Sequence, residues 1–281
     1  MKLKSEIQIQ SFDELADRIE IASGVTEIKS INFVLAKPQT FVPINNWRKL
    51  DKEELKSVTS SIIKYTDVSI VKMPTSIINI FKKLKISDSL NIEDINFIQK
   101  TKEYQNALDK LLLYLEEKFM FKNNYEVHNL FFGKPNLSNN TFNTKENVYI
   151  GLHLDSWEKQ SFDERPNARN RICINLGKEP RYLQFYNISL KTMANMTAFD
   201  LNNKYDINNI YKQFALSFPE YPVLRIKINP YEAYIAPTEF IIHDGSNINT
   251  KYPDINLVVR GYFQNKTKLN IFSLILKLIK K

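Results

Sequence analysis

The stretch "GLHLDSW" places His153 and Asp155 two residues apart in a run with strand-like alternation. In a strand, alternate side chains share a face, with their Cα atoms roughly 6.5–7 Å apart. Val148, Ile150, Leu152 and Leu154 would form an apolar face, and Tyr149, Gly151, His153 and Asp155 the opposite one. An imidazole nitrogen and a carboxylate oxygen on one face can converge on a metal ion, and Gly151 is expected to keep the space beside them open. The chain has only three histidines. A second one, His243 in "TEFIIHDGS", ends another strand-like run 88 positions after Asp155. Two histidines and one carboxylate on one face, with open positions opposite, form the facial arrangement that suits Fe(II) and dioxygen. The bland alternative makes His153 and His243 polar residues at strand ends and Asp155 the start of a turn.

Arg260, in "NLVVRGYF", follows His243 by 17 positions. A lone arginine in an apolar strand is costly unless it faces an anion, and its planar fork suits a carboxylate. Tyr262 shares its face. The order His-x-Asp, distant His and spaced Arg, on strand-like segments, resembles the 2-oxoglutarate/Fe(II)-dependent dioxygenases over roughly residues 145–263. The resemblance implies a catalytic centre in which His153, Asp155 and His243 bind Fe(II). It implies that Arg260, helped by Tyr262, takes the distal carboxylate of 2-oxoglutarate, and that O₂ is consumed with release of succinate and CO₂. Related halogenases have a small residue in place of the triad carboxylate, so Asp155 favours hydroxylation.

The segment "RPNARNRICINLGKEPRYLQFYN" concentrates Arg165, Arg169, Arg171 and Arg181. A period of two puts Arg171, Cys173 and Asn175 on one face. Trp157, Arg169, Arg171 and Asn175 are the candidate substrate contacts. The competing readings are a solvated basic loop for the arginines and a core or lid aromatic for Trp157. His128 is expected to be a buried or pocket histidine rather than a ligand, and Cys173 a small buried hydrophobe. The expected substrate is a small, amino-acid-like molecule or a peptide. Oxidative nucleic-acid dealkylases usually carry a second arginine soon after the first, where "RGYFQNKTK" offers Lys266 and Lys268, so nucleic acid is disfavoured. A non-enzymatic jelly-roll binding module is the alternative of another class.

These residues need elements to position them. Residues 11 to about 122 show mainly helical spacing. "SFDELADRIEIAS" has a capping-box pattern in Ser11 and Glu14, and "IEDINFIQKTKEYQNALDKLLLYLEEKFMF" is the longest helical run. From about Tyr125 the period becomes two, giving some eight short strands interrupted by one helix, "DINNIYKQFALSF". The expected class is α+β, with a double-stranded β-helix (jelly-roll, cupin-like) core. The expected organisation is a mainly helical region over residues 1–122 covering an outer face within the same unit, the catalytic core over 123–265, and an amphipathic basic segment over 266–281. That last segment is compatible with weak membrane-surface contact, or with packing on the core.

Composition excludes several alternatives. Six glycines and no GxGxxG or GxxxxGK[ST] argue against a nucleotide loop. No GxSxG is present, and one cysteine cannot make a CxxC zinc site or an intrachain disulfide. The net charge of +8 fits a lysine-rich surface better than a nucleic-acid patch. The expected location is a reducing cytoplasm.

Overall fold

Alternating apolar residues build most of this protein, and their strands pair across long sequence distances. The computed structural model describes residues 3–11, 14–62, 64–119, 125–199 and 207–263. The basic segment 266–281, including Lys266 and Lys268, lies outside the described residues. The first elements are strands: β1 (Ile9–Gln10), β2 (Ile19–Ala22), β3 (Val25–Ile31), β4 (Val34–Pro43) and β5 (Arg48–Lys49). Then come α1 (Lys52–Val58), β6 (Val68–Lys72), α2 (Thr75–Lys83), α3 (Ile92–Gln99) and α4 (Lys102–Lys118). Short strands follow: β7 (Glu126–Val127), β8 (Phe131–Gly133), β9 (Phe142–Asn143) and β10 (Val148–Tyr149). The chain continues through β11 (Asn170–Asn175), β12 (Arg181–Phe185), α5 (Leu190–Thr197) and α6 (Ile207–Ser217). It closes with β13 (Val223–Ile228), β14 (Glu232–Ala236), β15 (His243–Ser246) and β16 (Asp254–Gly261). The class is α+β.

The larger sheet runs β1-β6-β14-β11-β16-β7, with β8 also on β16, and the smaller runs β15-β12-β13-β2-β5. Leu183, Phe185, Leu224 and Ile226 of the smaller sheet pack against Cys173, Tyr234 and Ala236 of the larger. On the outer face of the larger sheet, Ile172, Ile174, Ile235 and Leu257 pack against Phe81, Ile95, Leu111 and Leu115 of the helices. Each such leucine or isoleucine, taken wholly out of water, contributes about 1.5–3 kcal/mol. Helices α2 to α4 thus cover one outer face, as the helical spacing predicts. The long helical run breaks at Thr101, whose hydroxyl accepts from the Tyr104 N–H at 3.2 Å and caps α4.

The N-terminal expectation is corrected. Residues 11–22 contain no helix among those described, so the Ser11/Glu14 pattern opens no helix there. Ile19 and Ile21 alternate into the core as β2, which pairs antiparallel with β13 some 200 residues away. That partner outweighs the local helical signal. A third sheet, β3-β4-β10-β9, lies beside the site. Among the described residues, no helix is long and apolar enough to cross a membrane.

Candidate metal centre

His153 and His243 are joined by a reciprocal backbone pair: His153 N–H donates to His243 O at 3.0 Å, and His243 N–H to His153 O at 2.9 Å. Directly opposed residues put their side chains on the same face, and the two imidazole centroids are 4.8 Å apart. Asp155 completes the group. Its Oδ1 lies 3.7 Å from His153 Nε2 and its Oδ2 lies 3.9 Å from His243 Nε2. The three ligand atoms all lie within 4.8 Å of one another, and all three residues are buried.

Two backbone carbonyls settle the imidazole tautomers. His153 Nδ1 is 2.8 Å from Gly151 O, and His243 Nδ1 is 3.1 Å from Ile241 O. A carbonyl only accepts, so each Nδ1 carries the proton and each Nε2 keeps its lone pair for the centre. His243 Nε2 is buried with no hydrogen-bond partner, and Asp155 Oδ2 has none beyond its ion pair with Arg171. A buried acceptor left like His243 Nε2 is expensive unless a cation takes it up. The donor set is therefore one that fits a divalent metal ion.

The charge states of Asp155 and His243 agree with this, while that of His153 opposes it. Burial works against ionisation of Asp155, but Arg171 and the two histidines hold its carboxyl well below the usual range. Burial pushes His243 down to about 3, with His153 and Arg171 adding to the effect. Burial also opposes a charged His153, yet the Asp155 and Asp244 carboxylates raise it overall. Arg171 Nη2 is 2.6 Å from Asp155 Oδ2, an ion pair that lacks hydrogen-bond alignment.

Gly151 serves a different purpose from the one its small size suggests. Its φ is +61°, and a Cβ there would sit 2.6 Å from the Phe41 carbonyl oxygen. It permits a left-handed kink and close approach of β4 rather than clearing space beside the metal. Strand β10 accordingly ends at Tyr149, although Leu152 and Leu154 still bury on the opposite side from His153 and Asp155. His243 begins β15 rather than ending a strand.

A cavity of about 590 Å³ opens beside His243. The strand register explains its walls. Arg171 and Cys173 on β11 stand opposite Arg260 and Val258 on β16, and Cys173 also stands opposite Tyr234 on β14. Arg171, Cys173, Tyr234, Val258 and, from β12, Arg181 line the cavity, with Asn140, Asn256 and His128. Another hollow of about 610 Å³, near Arg48 and Glu54, holds none of the triad.

The other sequence candidates divide. Arg171 is at the site. Arg260 is not a free anchor: it is 2% exposed and pairs with Glu126 at 3.1 Å, Glu158 at 3.0 Å and Glu239 at 3.1 Å. Neither Arg260 nor Tyr262 lines the cavity, and Tyr262 stacks on Tyr65 at 6.3 Å. Arg169 is taken by Glu158 at 2.5 Å. Asn175 supports the β11–β12 turn, donating to Glu179 O and Ile228 O and accepting from the Gly177 N–H. Trp157 is 55% exposed, with its ring edge-on to His128 and near the Arg260 guanidinium. His128 is a cavity histidine outside the triad, and Cys173 is buried.

Sequence reasoning missed Arg181 as a site residue, along with Glu239, Glu158 and Asp254. The cue that singled out Arg260 was also present at Arg181, which alternates with Leu183 and Phe185 on an apolar strand face. No comparable cue marks the acids, whose partners lie in other segments.

No family model matches the chain, and no curated protein matches it by sequence. Among solved structures, the chain is similar to the Kdo hydroxylase KdoO, described as a non-heme Fe(II) alphaketoglutarate dependent dioxygenase. The form with succinate and Fe(III), the apo form and the cobalt(II) form each match at 10% identity and a TM-score of 0.39. Each match covers 71% of this chain and 80% of the other. At that distance the triad, not the likeness, carries the functional reading.

Proposed function

We propose that this chain is an Fe(II)- and 2-oxoglutarate-dependent oxygenase of the hydroxylase type, acting on a small molecule or peptide. The observation that carries the reading is the buried His153–Asp155–His243 triad with the unpartnered Nε2 of His243 turned into it. The core is read as a double-stranded β-helix. The β14-β11-β16 order facing β13-β12-β15, with His153 bridged to β15, supports that reading. Pairing of β2 with β13 and of β6 with β14 supports treating residues 1–122 and 123–265 as one unit.

When bound, iron would supply the activation of O₂ coupled to oxidative decarboxylation of the keto acid. The protein's own residues do the rest. Two carbonyls hold the imidazole tautomers, and the carboxylate of Asp155 fills the third ligand position. The acid end of 2-oxoglutarate we assign to Arg181. It lines the cavity, is 5% exposed, and faces one carboxylate, Asp254 at 3.1 Å, besides the thiol of Cys173. Gly245 leaves room for its fork, since a Cβ there would sit 2.7 Å from Arg181 Nη2. Arg171 and Arg181 balance Asp155 and Asp254, so a dication and a dianion can enter together without net charge.

The test is succinate release that requires Fe(II), 2-oxoglutarate and a substrate. It is paired with the weak visible band expected when Fe(II) and 2-oxoglutarate are added anaerobically. A chain that takes up neither would be a binding module instead.

A further inference from the structure

The two segments that carry the metal ligands meet at a cluster of buried charges that the oxygenase reading leaves without a role. Glu239 is 1% exposed and lies four residues before His243. Its Oε1 accepts from the backbone N–H groups of Trp157 at 2.8 Å and Glu158 at 3.3 Å, just past Asp155. The same carboxylate pairs with Arg260 at 3.1 Å and Arg165 at 3.5 Å. Arg165, itself buried, donates to the carbonyls of Asp155 at 2.9 Å and Glu239 at 3.0 Å, and to Ser156 Oγ at 3.0 Å. The Asp155 N–H donates to Thr238 O at 3.1 Å. Residues 155–158 and 238–239 are thus stitched together from both sides. Arg260 ties the stitch to β16, which is flanked by β11 and β7 within the larger sheet.

Burying a carboxylate between two guanidiniums costs several kcal/mol per ion in desolvation, offset only by good geometry and full hydrogen bonding. A loop crossing alone can be held by neutral backbone pairs, as His153 and His243 already are. Charges concentrated where two ligand-bearing segments meet have a narrower use, because they resist any drift of one segment against the other. We propose that Glu239, clamped by Arg165 and Arg260, is a positioning residue for the metal centre. It sets the path of Asp155 relative to His243. The proposal rests on the triad being a metal site.

The test uses the full chain and Co(II) as the probe, read by calorimetric titration and by the Co(II) d–d spectrum at saturation. Glu239→Gln removes the charge and keeps the shape. Arg165→Lys keeps the charge and loses the fork. Glu232→Gln is the control, because it breaks the largely buried Arg18–Glu232 pair (2.8 Å) outside the cluster. Both cluster variants should weaken Co(II) roughly tenfold or more, the range for outer-shell partners of metal ligands, and shift the d–d bands. The control should lower only the melting temperature. If Glu239→Gln does not fold, Arg165→Lys decides. Cluster variants that bind Co(II) like wild type, or a control that loses as much affinity, overturn the staple. Wild-type protein that binds no Co(II) overturns the metal reading itself. Binding by wild type and Glu239→Gln alike, but not by Asp155→Ala, overturns the staple alone.

Discussion

Arg181 and Arg260 are buried to a similar degree, 5% and 2% exposed, and each stands on an apolar strand of the core. Their surroundings differ. Arg260 meets three carboxylates, from Glu126, Glu158 and Glu239, and does not line the cavity beside His243. Arg181 meets Asp254 and a thiol and lines that cavity. A guanidinium whose fork is filled by several carboxylates holds structure together. One matched by a single carboxylate beside an opening can still take an anion. Burial alone does not separate the two arginines; the number of carboxylates around the fork does.

The largest effect tests the centre beside which this contrast is drawn. Asp155→Ala should weaken Co(II) beyond the roughly 100-fold limit of outer-shell changes, as read by titration. A loss no greater than that of Glu239→Gln would move the ligand role elsewhere.

Next comes Arg181 itself. Arg181→Lys keeps the charge and gives up the planar fork. Hydrogen bonds to charged groups are worth about 1.5–3 kcal/mol, so 2-oxoglutarate should bind about 10- to 100-fold more weakly while Co(II) affinity holds. Cys173 is the only cysteine and accepts from Arg181 Nη1 at 2.7 Å. Bound 2-oxoglutarate should therefore slow its alkylation by a small maleimide, followed by intact mass. That protection should vanish in Arg181→Lys and survive in Arg260→Lys. The reverse pattern would make Arg260 the anchor after all.

Gly151→Ala asks how far the backbone, rather than the Glu239 cluster, places His153. With φ at +61° and Phe41 O 2.6 Å from the new Cβ, the change should destabilise the fold by about 1–3 kcal/mol in urea unfolding. An unchanged midpoint would show that β4 yields easily.

The smallest effect is in pH. A metal must displace the proton that Asp155 and Asp244, against the effect of burial, favour on His153. Co(II) affinity should climb with pH and level off above the raised His153 value. His243, pushed down to about 3, adds nothing near neutrality. In metal-free protein the sign is opposite. A raised folded pKa gives stability that is complete below the unfolded value of 6.5 and lost as pH rises through the folded one. Above pH 6.5, where His243 is neutral in the folded and unfolded chain alike, opposed trends in Co(II) titration and metal-free melting are the expected signature; below it the lowered His243 works the other way, its stability being lost as pH falls. Parallel trends would remove His153 from the ligand set.

The triad was legible because strand parity needs only local sequence. His153 and Asp155 share a face at any period-two segment, whereas the alternating run before His243 forms a turn and His243 opens β15 instead. Strands β11 to β14 and β16 were legible for the same reason, as were α2, α4 and α6 through their helical spacing. Strand β2 was not. Its four residues follow a capping-box pattern, and only β13 reveals the strand. Arg260 stood out in the sequence because a lone arginine shows a need for an anion, but not which anion meets it. Glu126, Glu158 and Glu239 reach it from three separate segments.

By itself, then, the sequence determined the ligand types, their shared face and the alternation that buries Leu152 and Leu154 opposite them. Those properties follow from backbone periodicity, which is set over a few residues. Tertiary structure alone decided which arginine is saturated, which opens onto the cavity, and why Gly151 must be glycine. Each of these depends on a neighbour many residues away: a carboxylate's charge at Arg260 and Arg181, and the Phe41 carbonyl at Gly151. Electrostatic compensation and close approach are properties of space, and no spacing along the chain encodes them.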